Sequence, residues 1–299
     1  MPTTRRRFLT IAAACALVPA SARAVPVHVE TAIALGARVT LRLQHPDAPA
    51  MAAAALAEIR RLEGVFSLYR PDSALVQLNA TGRLDLPPPE LLDCLTLAGA
   101  VHRASGGAFD PTVQPLWLAE AAATTRGAPL TAAERGAAQA RIGWHRVALS
   151  ARAITLGTGQ ALTLNGIAQG YIADRVAALL AARGLTRALI DTGEMTALPE
   201  GTWPVGLPDG AHLALAGRAL ATSAPLGMTF GGDARRSHIL DPRTGAPVAA
   251  RWQAVSISTP SAALADALST AACLMADRNA ITALCGGFAG ARVELALAV

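Results

Sequence analysis

Leu162-Thr-Leu-Asn-Gly-Ile-Ala-Gln-Gly-Tyr-Ile-Ala-Asp174 is the stretch from which the rest of the chain can be placed. Ala161 to Asn165 alternates apolar and polar residues as a half-buried strand does, and Ile172, Val176, Leu179 and Leu180 then recur at helical spacing. The period changes across Gly166–Gly170. Gly184 stands where a helix C-cap belongs, and Ala188-Leu-Ile-Asp191 reads as the next strand, closing at Gly193. Two readings of the glycines stay open. One is a plain turn that needs φ > 0; the other is a strand–loop–helix unit whose free N–H groups and positive dipole end meet an anion such as phosphate.

Upstream, His28–Leu43 carries two β-like runs around Gly36, and Pro46-Asp-Ala-Pro49 leads into a helix from about Met51 to Glu63, packed through Leu56, Ile59 and Leu62. Next comes Phe66-Ser-Leu-Tyr-Arg-Pro-Asp-Ser73, where Tyr69 reads either as a ring that stacks on a planar ligand or as an ordinary half-buried tyrosine. Pro87-Pro-Pro89 starts a helix from Glu90 to about Ala104, which ends at Ser105-Gly-Gly-Ala-Phe-Asp-Pro-Thr-Val113. In that loop two glycines allow close backbone approach, and Pro111 holds Asp110 extended. Ala119 to about Ala140 is alanine-rich and reads as a surface excursion before a short helix, with no chemistry assigned to it.

Downstream, Trp203–Leu220 reads as short strands, and Ser237-His-Ile-Leu-Asp-Pro-Arg-Thr-Gly245 as a strand end followed by an Asp-Pro-x-x-Gly turn, with His238 at the rim. Ala254–Ser258 is a strand, and Ser261 caps a helix from Ala262 to about Ala276. Asp266 and Thr270 lie one turn apart on the same face of that helix. Both are hard oxygen ligands suited to Mg²⁺, which keeps waters and bridges to phosphates; a solvated polar helix face is the competing reading.

The 52% apolar content over 299 residues excludes a disordered chain. The net charge of +5 does not imply a nucleic-acid partner, because Arg5, Arg6, Arg7 and Arg23 lie in a removable segment and the remainder, which holds no lysine, is near neutral. Thr4-Arg-Arg-Arg-Phe-Leu9, the apolar run Ile11–Ala20 and Ser21-Ala-Arg-Ala24 have the layout of a Tat-type export signal cleaved after Ala24. The expected division is therefore a signal over 1–24 and a periplasmic domain over 25–299; lipoprotein anchoring at Cys15 is the lesser option. No later run is long and apolar enough for a transmembrane segment in the mature chain. Cys94, Cys273 and Cys285 read as buried thiols, with a Cys273–Cys285 disulfide left open.

Taken in order, these stretches resemble the FAD:protein FMN transferase family, also called the ApbE family. Ser67-Leu-Tyr69 with Ser73 and Asn79 is similar to its Ser-x-Tyr…Ser…Asn segment, and Gly107-Ala-Phe-Asp-Pro-Thr-Val113 to its Gly-Ala-Phe-Asp-Pro-Thr-Val loop. Leu164–Tyr171 with Asp174 resembles its Gly-Gly-Ile-Ala-Lys-Gly-Tyr…Asp loop, Ser237–Gly245 its Ser-His-Ile-x-Asp-Pro-x-Thr-Gly element, and Ala265–Thr270 its Ala-Asp-Ala-x-x-Thr helix. The chain departs from the pattern at Thr163, where relatives commonly have Asp, at Gln169, where they usually have Lys or Glu, and at Ser223-Ala-Pro225, in place of Ser-Gly.

The resemblance implies an α+β fold with mixed, mainly antiparallel sheets flanked by helices. It implies Mg²⁺-dependent cleavage of FAD, with FMN passed to a Thr or Ser hydroxyl of an acceptor protein and AMP released. By the same resemblance Asp266, Thr270 and the Gly166 carbonyl would hold the metal; Tyr69, Ala108, Phe109, Asp110, Thr163, Gln169 and Leu240 would contact FAD. His238 would shape the phosphate site, and Asp266 would also help activate the acceptor hydroxyl. The implied acceptor is a flavoprotein subunit of a membrane electron-transfer complex, of sodium-pumping, Rnf or nitrous-oxide-reduction type, the last favoured by the Tat-like signal. Two other readings stand beside this one: a periplasmic FAD-binding accessory protein that transfers nothing, and an FAD pyrophosphatase that passes FMN to water.

Overall fold

The computed structural model describes residues 25–34, 36–231 and 236–299; the expected export signal over 1–24, Cys15 included, lies outside the described residues. Seven strands form one antiparallel sheet whose spatial order is its chain order: β1 His28–Ala34, β2 Ala37–Leu43, β3 Ala188–Asp191, β4 Met195–Ala197, β5 Ala219–Ser223, β6 Trp252–Thr259 and β7 Arg292–Ala298. The stretch 44–187 is inserted between β2 and β3, which nevertheless pair, Thr40 against Asp191 and Leu43 against Ala188.

That insertion supplies α1 (Ala48–Phe66), α2 (Ala74–Thr81), α3 (Pro89–Ala104), α4 (Gln114–Thr125), α5 (Ala132–Gln139) and α6 (Ala168–Ala182). Two more helices, α7 (Ala262–Ala272) and α8 (Arg278–Gly286), lie between β6 and β7. The α+β class expected from the sequence is the one observed. No helix among the described residues is long and apolar enough to cross a membrane.

Alternation within the strands decides which face each residue covers. In β3, Ala188 and Ile190 enter the main core with α1, α6 and α7, while Leu189 turns to the opposite face. There it meets Ala197, Leu220 and the hairpin residues Trp203, Val205 and Leu215. On α1 the buried residues Ala52, Ala55, Ile59 and Leu62 follow helical spacing. Burial of each leucine or isoleucine contributes about 1.5–3 kcal/mol, so packing rather than capping holds this helix. It runs past Met51 and Glu63 at both ends, because Pro49 is tolerated in a first turn and Val65 and Phe66 extend the buried face.

The structure corrects two local expectations and settles a point left open. Ala161–Leu164 is extended but belongs to no sheet. Its backbone bonds go elsewhere: the Asn79 side chain both accepts from Leu162 N–H (2.7 Å) and donates to Leu162 C=O (2.8 Å), and Thr163 N–H donates to Pro111 C=O (2.8 Å). The alternation was nonetheless informative, since Leu162 and Leu164 are fully buried while Thr163 faces a cavity. Second, the alanine-rich excursion holds the C-terminal part of α4, and its Glu120 is completely buried against Arg135 and Arg236. Cys94, Cys273 and Cys285 are buried free thiols, as read from the sequence, and the open question of a Cys273–Cys285 disulfide is answered: none forms.

The glycine loop settles between its two readings in an unexpected way. Neither Gly166 nor Gly170 takes a positive φ. Both are close-approach glycines: a Cβ on Gly170 would lie 2.2 Å from the Ala262 carbonyl oxygen, and one on Gly166 would lie 2.9 Å from Thr270 Oγ1. The start of α6 is thereby pressed against α7. Asp174, further along α6, caps α7 by accepting from Ala262 N–H (2.7 Å), Ala263 N–H (3.0 Å) and Ser261 Oγ (2.7 Å).

Candidate active site

A cavity of about 260 Å³ opens where α6, α7, β5 and two loops converge. From α7 come Asp266 and Thr270, from the turn into α6 Gly166 and Gln169, and from the extended run before it Thr163. Ala108, Phe109 and Asp110 line a second wall; His238 and Leu240 line a third. Ten of the eleven residues singled out from the sequence therefore share one cavity. Tyr69 is the exception at 81% exposed, because Ser67 Oγ accepts from the N–H groups of Tyr69 and Arg70 and this turn carries the ring out to solvent.

Asp266 is 3% exposed, not on a solvated face. Burial pushes its carboxyl up to about 8, against the opposing bond from Gly170 N–H at 3.5 Å. The first turn of α6 thus offers a backbone donor, and its acceptor is a side-chain carboxyl of the protein itself. Ser223 Oγ, from the end of β5, lies 2.7 Å from Ser269 Oγ and 3.3 Å from Thr270 Oγ1, tying the sheet to the helix face that carries Thr270.

The two loops are wired from behind. Asp110 is 8% exposed, and its Oδ1 accepts from Thr112 N–H (2.8 Å) and Thr112 Oγ1 (2.6 Å). His102 Nδ1 lies 3.0 Å from the Phe109 carbonyl and 3.5 Å from Asp110 Oδ2. One oxygen of Asp110 is thus committed to shaping the loop. Ser237 Oγ donates to Pro225 C=O (2.6 Å) and accepts from Ile239 N–H (3.0 Å), which fixes the strand on either side of His238. His238 Nδ1 lies 2.9 Å from the Met228 carbonyl. A carbonyl can only accept, so Nδ1 carries the proton and, in the neutral ring, Nε2 is left with its lone pair.

Several lining residues escaped the sequence reading, chiefly Glu194 and Trp117. Glu194, in the turn between β3 and β4, is 9% exposed. Its carboxyl is held well above the usual carboxylate range by burial and by Asp266, against a bond from the Thr222 backbone. The signal was present: an acidic residue directly after Gly193, flanked by the largely apolar runs Ala188–Ile190 and Met195–Leu198. Trp117, whose ring packs at 5.6 Å on Phe230, adds an aromatic wall from the first turns of α4.

Oxygen donors from Asp266, Thr270 and the Gly166 backbone meet where no Cβ fits at Gly166, the donor chemistry of a hard divalent cation. No group of three or more His, Cys, Asp or Glu that could hold a metal ion occurs among the described residues.

Comparison with known proteins agrees with this geometry. The sequence profile of the ApbE family matches residues 35–287. An FAD:protein FMN transferase of Treponema pallidum (strain Nichols) is 30% identical over 280 residues, covering 80% of this chain and 76% of that protein. One from Klebsiella pneumoniae (strain 342) is 28% identical over 248 residues, 77% of each. Among solved structures, the apo form of Pseudomonas stutzeri flavinyl transferase ApbE superposes with a TM-score of 0.77 at 26% identity, over 88% of this chain and 89% of that one. The ApbE protein of Thermotoga maritima gives 0.80 at 25% identity, over 89% and 93%. With a family match across most of its length and the same fold, this chain belongs to the ApbE family.

Proposed function

We propose that the protein is an FAD:protein FMN transferase that uses Mg²⁺, attaching FMN to a Thr or Ser hydroxyl of an acceptor flavoprotein and releasing AMP. The observation that carries the reading is the pairing of the buried Asp266 carboxyl with the half-buried Thr270 hydroxyl, set against Gly166 in the main cavity of a chain with this family membership. These residues would hold the cation, which when bound offsets negative charge on pyrophosphate oxygens.

The chain's own groups supply the rest. Phe109, Leu240 and Trp117 give apolar walls for a planar ring, and Thr163, Gln169 and Ser223 give neutral hydrogen-bonding groups. In the transfer, the acceptor oxygen bonds to the flavin-bearing phosphorus, the bond to the AMP phosphate breaks, and the hydroxyl proton must leave. His238 Nε2 and the Asp266 carboxylate, both on the cavity wall, are the groups able to take it. The arginine-led segment over 1–24 supports a periplasmic site of action, on a flavoprotein subunit of a membrane electron-transfer complex.

The test incubates the protein with FAD, Mg²⁺ and Thr-containing acceptor domains while AMP release and acceptor mass are followed together. AMP with FMN covalently on the acceptor is the expected result. AMP with free FMN would replace transfer by hydrolysis, and intact bound FAD with every acceptor would indicate an accessory protein. Asp266→Asn should slow AMP release by about 100-fold or more, given the several kcal/mol that a cation supplies to such a charge-developing step.

A further inference from the structure

The turn Asp191-Thr192-Gly193-Glu194 between β3 and β4 carries a glutamate that nothing above employs. The turn is firmly held. Gly193 sits at φ +106° with its N–H donating to Asp191 Oδ1 (3.1 Å), and Thr192 Oγ1 donates to the Gln169 carbonyl (3.0 Å). A Cβ on Gly193 would lie 2.9 Å from Gln169 Nε2, so the Gln169 amide is packed on the turn itself. Glu194 emerges from this scaffold onto the wall of the cavity that Asp266, Thr270 and Gly166 also line.

Two carboxyl groups, 9% and 3% exposed, therefore face one small cavity. Neither takes part in any ion pair among the described residues: the buried pairing in the neighbourhood is between Glu120 and its two arginines, and the nearest side chain packed on the turn, Gln169, is neutral. Two acids sharing a low-dielectric pocket with no basic partner can ionise together only against desolvation and mutual repulsion. A divalent cation between them removes both penalties. Mg²⁺ takes six oxygens, and the set of Asp266, Thr270 and the Gly166 carbonyl leaves positions for more.

We infer that Glu194 is a further residue of the cation site, sharing the divalent cation with Asp266 through its coordination or hydration shell. The inference rests on the metal reading made under Proposed function, and metal binding without FAD separates the two.

Mn²⁺, an EPR-visible stand-in for Mg²⁺, is titrated into the purified protein with no flavin present and free Mn²⁺ is counted by EPR. The wild type should bind Mn²⁺ displaceably by Mg²⁺, and Glu194→Gln should weaken binding about 10–100-fold, the usual effect of losing a supporting group at a metal site. Glu194→Asp, which keeps the charge on a shorter arm, should fall between them. Without metal, Glu194→Gln should melt no lower than the wild type, since a neutral amide replaces a buried acid that has no basic partner. Equal Mn²⁺ affinity of Glu194→Gln and wild type, with Asp266→Asn weakened, would overturn the role of Glu194 and leave the metal reading standing. A wild type that binds no Mn²⁺ would overturn both.

Discussion

The cavity wall formed by α6 and α7 and the surface outside the cavity are built in contrasting ways. On the α6–α7 side the backbones touch at Gly170, Asp174 caps the neighbouring helix with three bonds, and Asp266 is 3% exposed. On the outer side, beyond the cavity lining, Tyr69 is 81% exposed, and Leu226 and Met228, on the segment that runs antiparallel to His238, are 38% and 60% exposed. The inner side fixes a few polar atoms to within the tolerance that phosphate chemistry needs. The outer side leaves apolar surface uncommitted, as suits a site that must admit both a large cofactor and an acceptor chain.

From that contrast, the largest effect of a small substitution falls at Gly170. An added methyl in Gly170→Ala would meet the Ala262 carbonyl at 2.2 Å, and backbone cannot rotate away as a side chain can. We expect a loss of about 3 kcal/mol or more, or failure to fold, measured by denaturant unfolding. Gly64→Ala is the matched control: Gly64 lies within α1, and a Cβ added there would have nothing within 4 Å, so the same change should stabilise by up to about 1 kcal/mol. Equal effects at the two positions would dissolve the distinction between wired and open regions.

Much of this was legible in the sequence, and the misses have a common physical cause. Alternation placed Leu162, Thr163 and Leu164 on the correct faces, but it could not say that Asn79 and Pro111, rather than a neighbouring strand, would take the backbone bonds. The i, i+4 spacing of Asp266 and Thr270 showed a shared helix face; only tertiary packing shows that face turned into a cavity. Glu194 was missed because its meaning is non-local. β3 and β4 bring it to Asp266, a residue far along the chain, and no periodicity reports such a meeting. Tyr69 shows the converse: its motif is local, while its exposure depends on how Ser67 turns the chain.

Titration gives an intermediate effect with a definite sign. The folded Asp266 carboxyl is pushed up to about 8 by burial, whereas an unfolded aspartate ionises near about 3.9. Between those values the folded state binds the extra proton, so this group's contribution is fully present below about pH 4 and is lost as pH rises through about 8. Metal-free protein should therefore show a melting temperature that falls from about pH 5 to about pH 8 and that Asp266→Asn flattens, followed by calorimetry. Mg²⁺ should restore the wild type most at the alkaline end, where the cation replaces the missing proton. Parallel slopes for wild type and Asp266→Asn would mean that the inner wall is wetter than its burial implies.

The smallest effect belongs to the outer side. Removing the exposed ring in Tyr69→Ala takes away no buried contact, so stability should change by no more than about 0.5 kcal/mol. If the ring closes on a bound flavin, the stacking lost is worth about 0.5–1.5 kcal/mol, and the KM for FAD should rise about 2- to 13-fold with kcat unchanged. A change confined to KM is the signature of binding that is equal in ground and transition states, as expected of a group remote from the phosphorus. A loss of kcat, or of more than about 1 kcal/mol in stability, would instead place Tyr69 among the wired residues and move the boundary between the two sides out to the Ser67 turn.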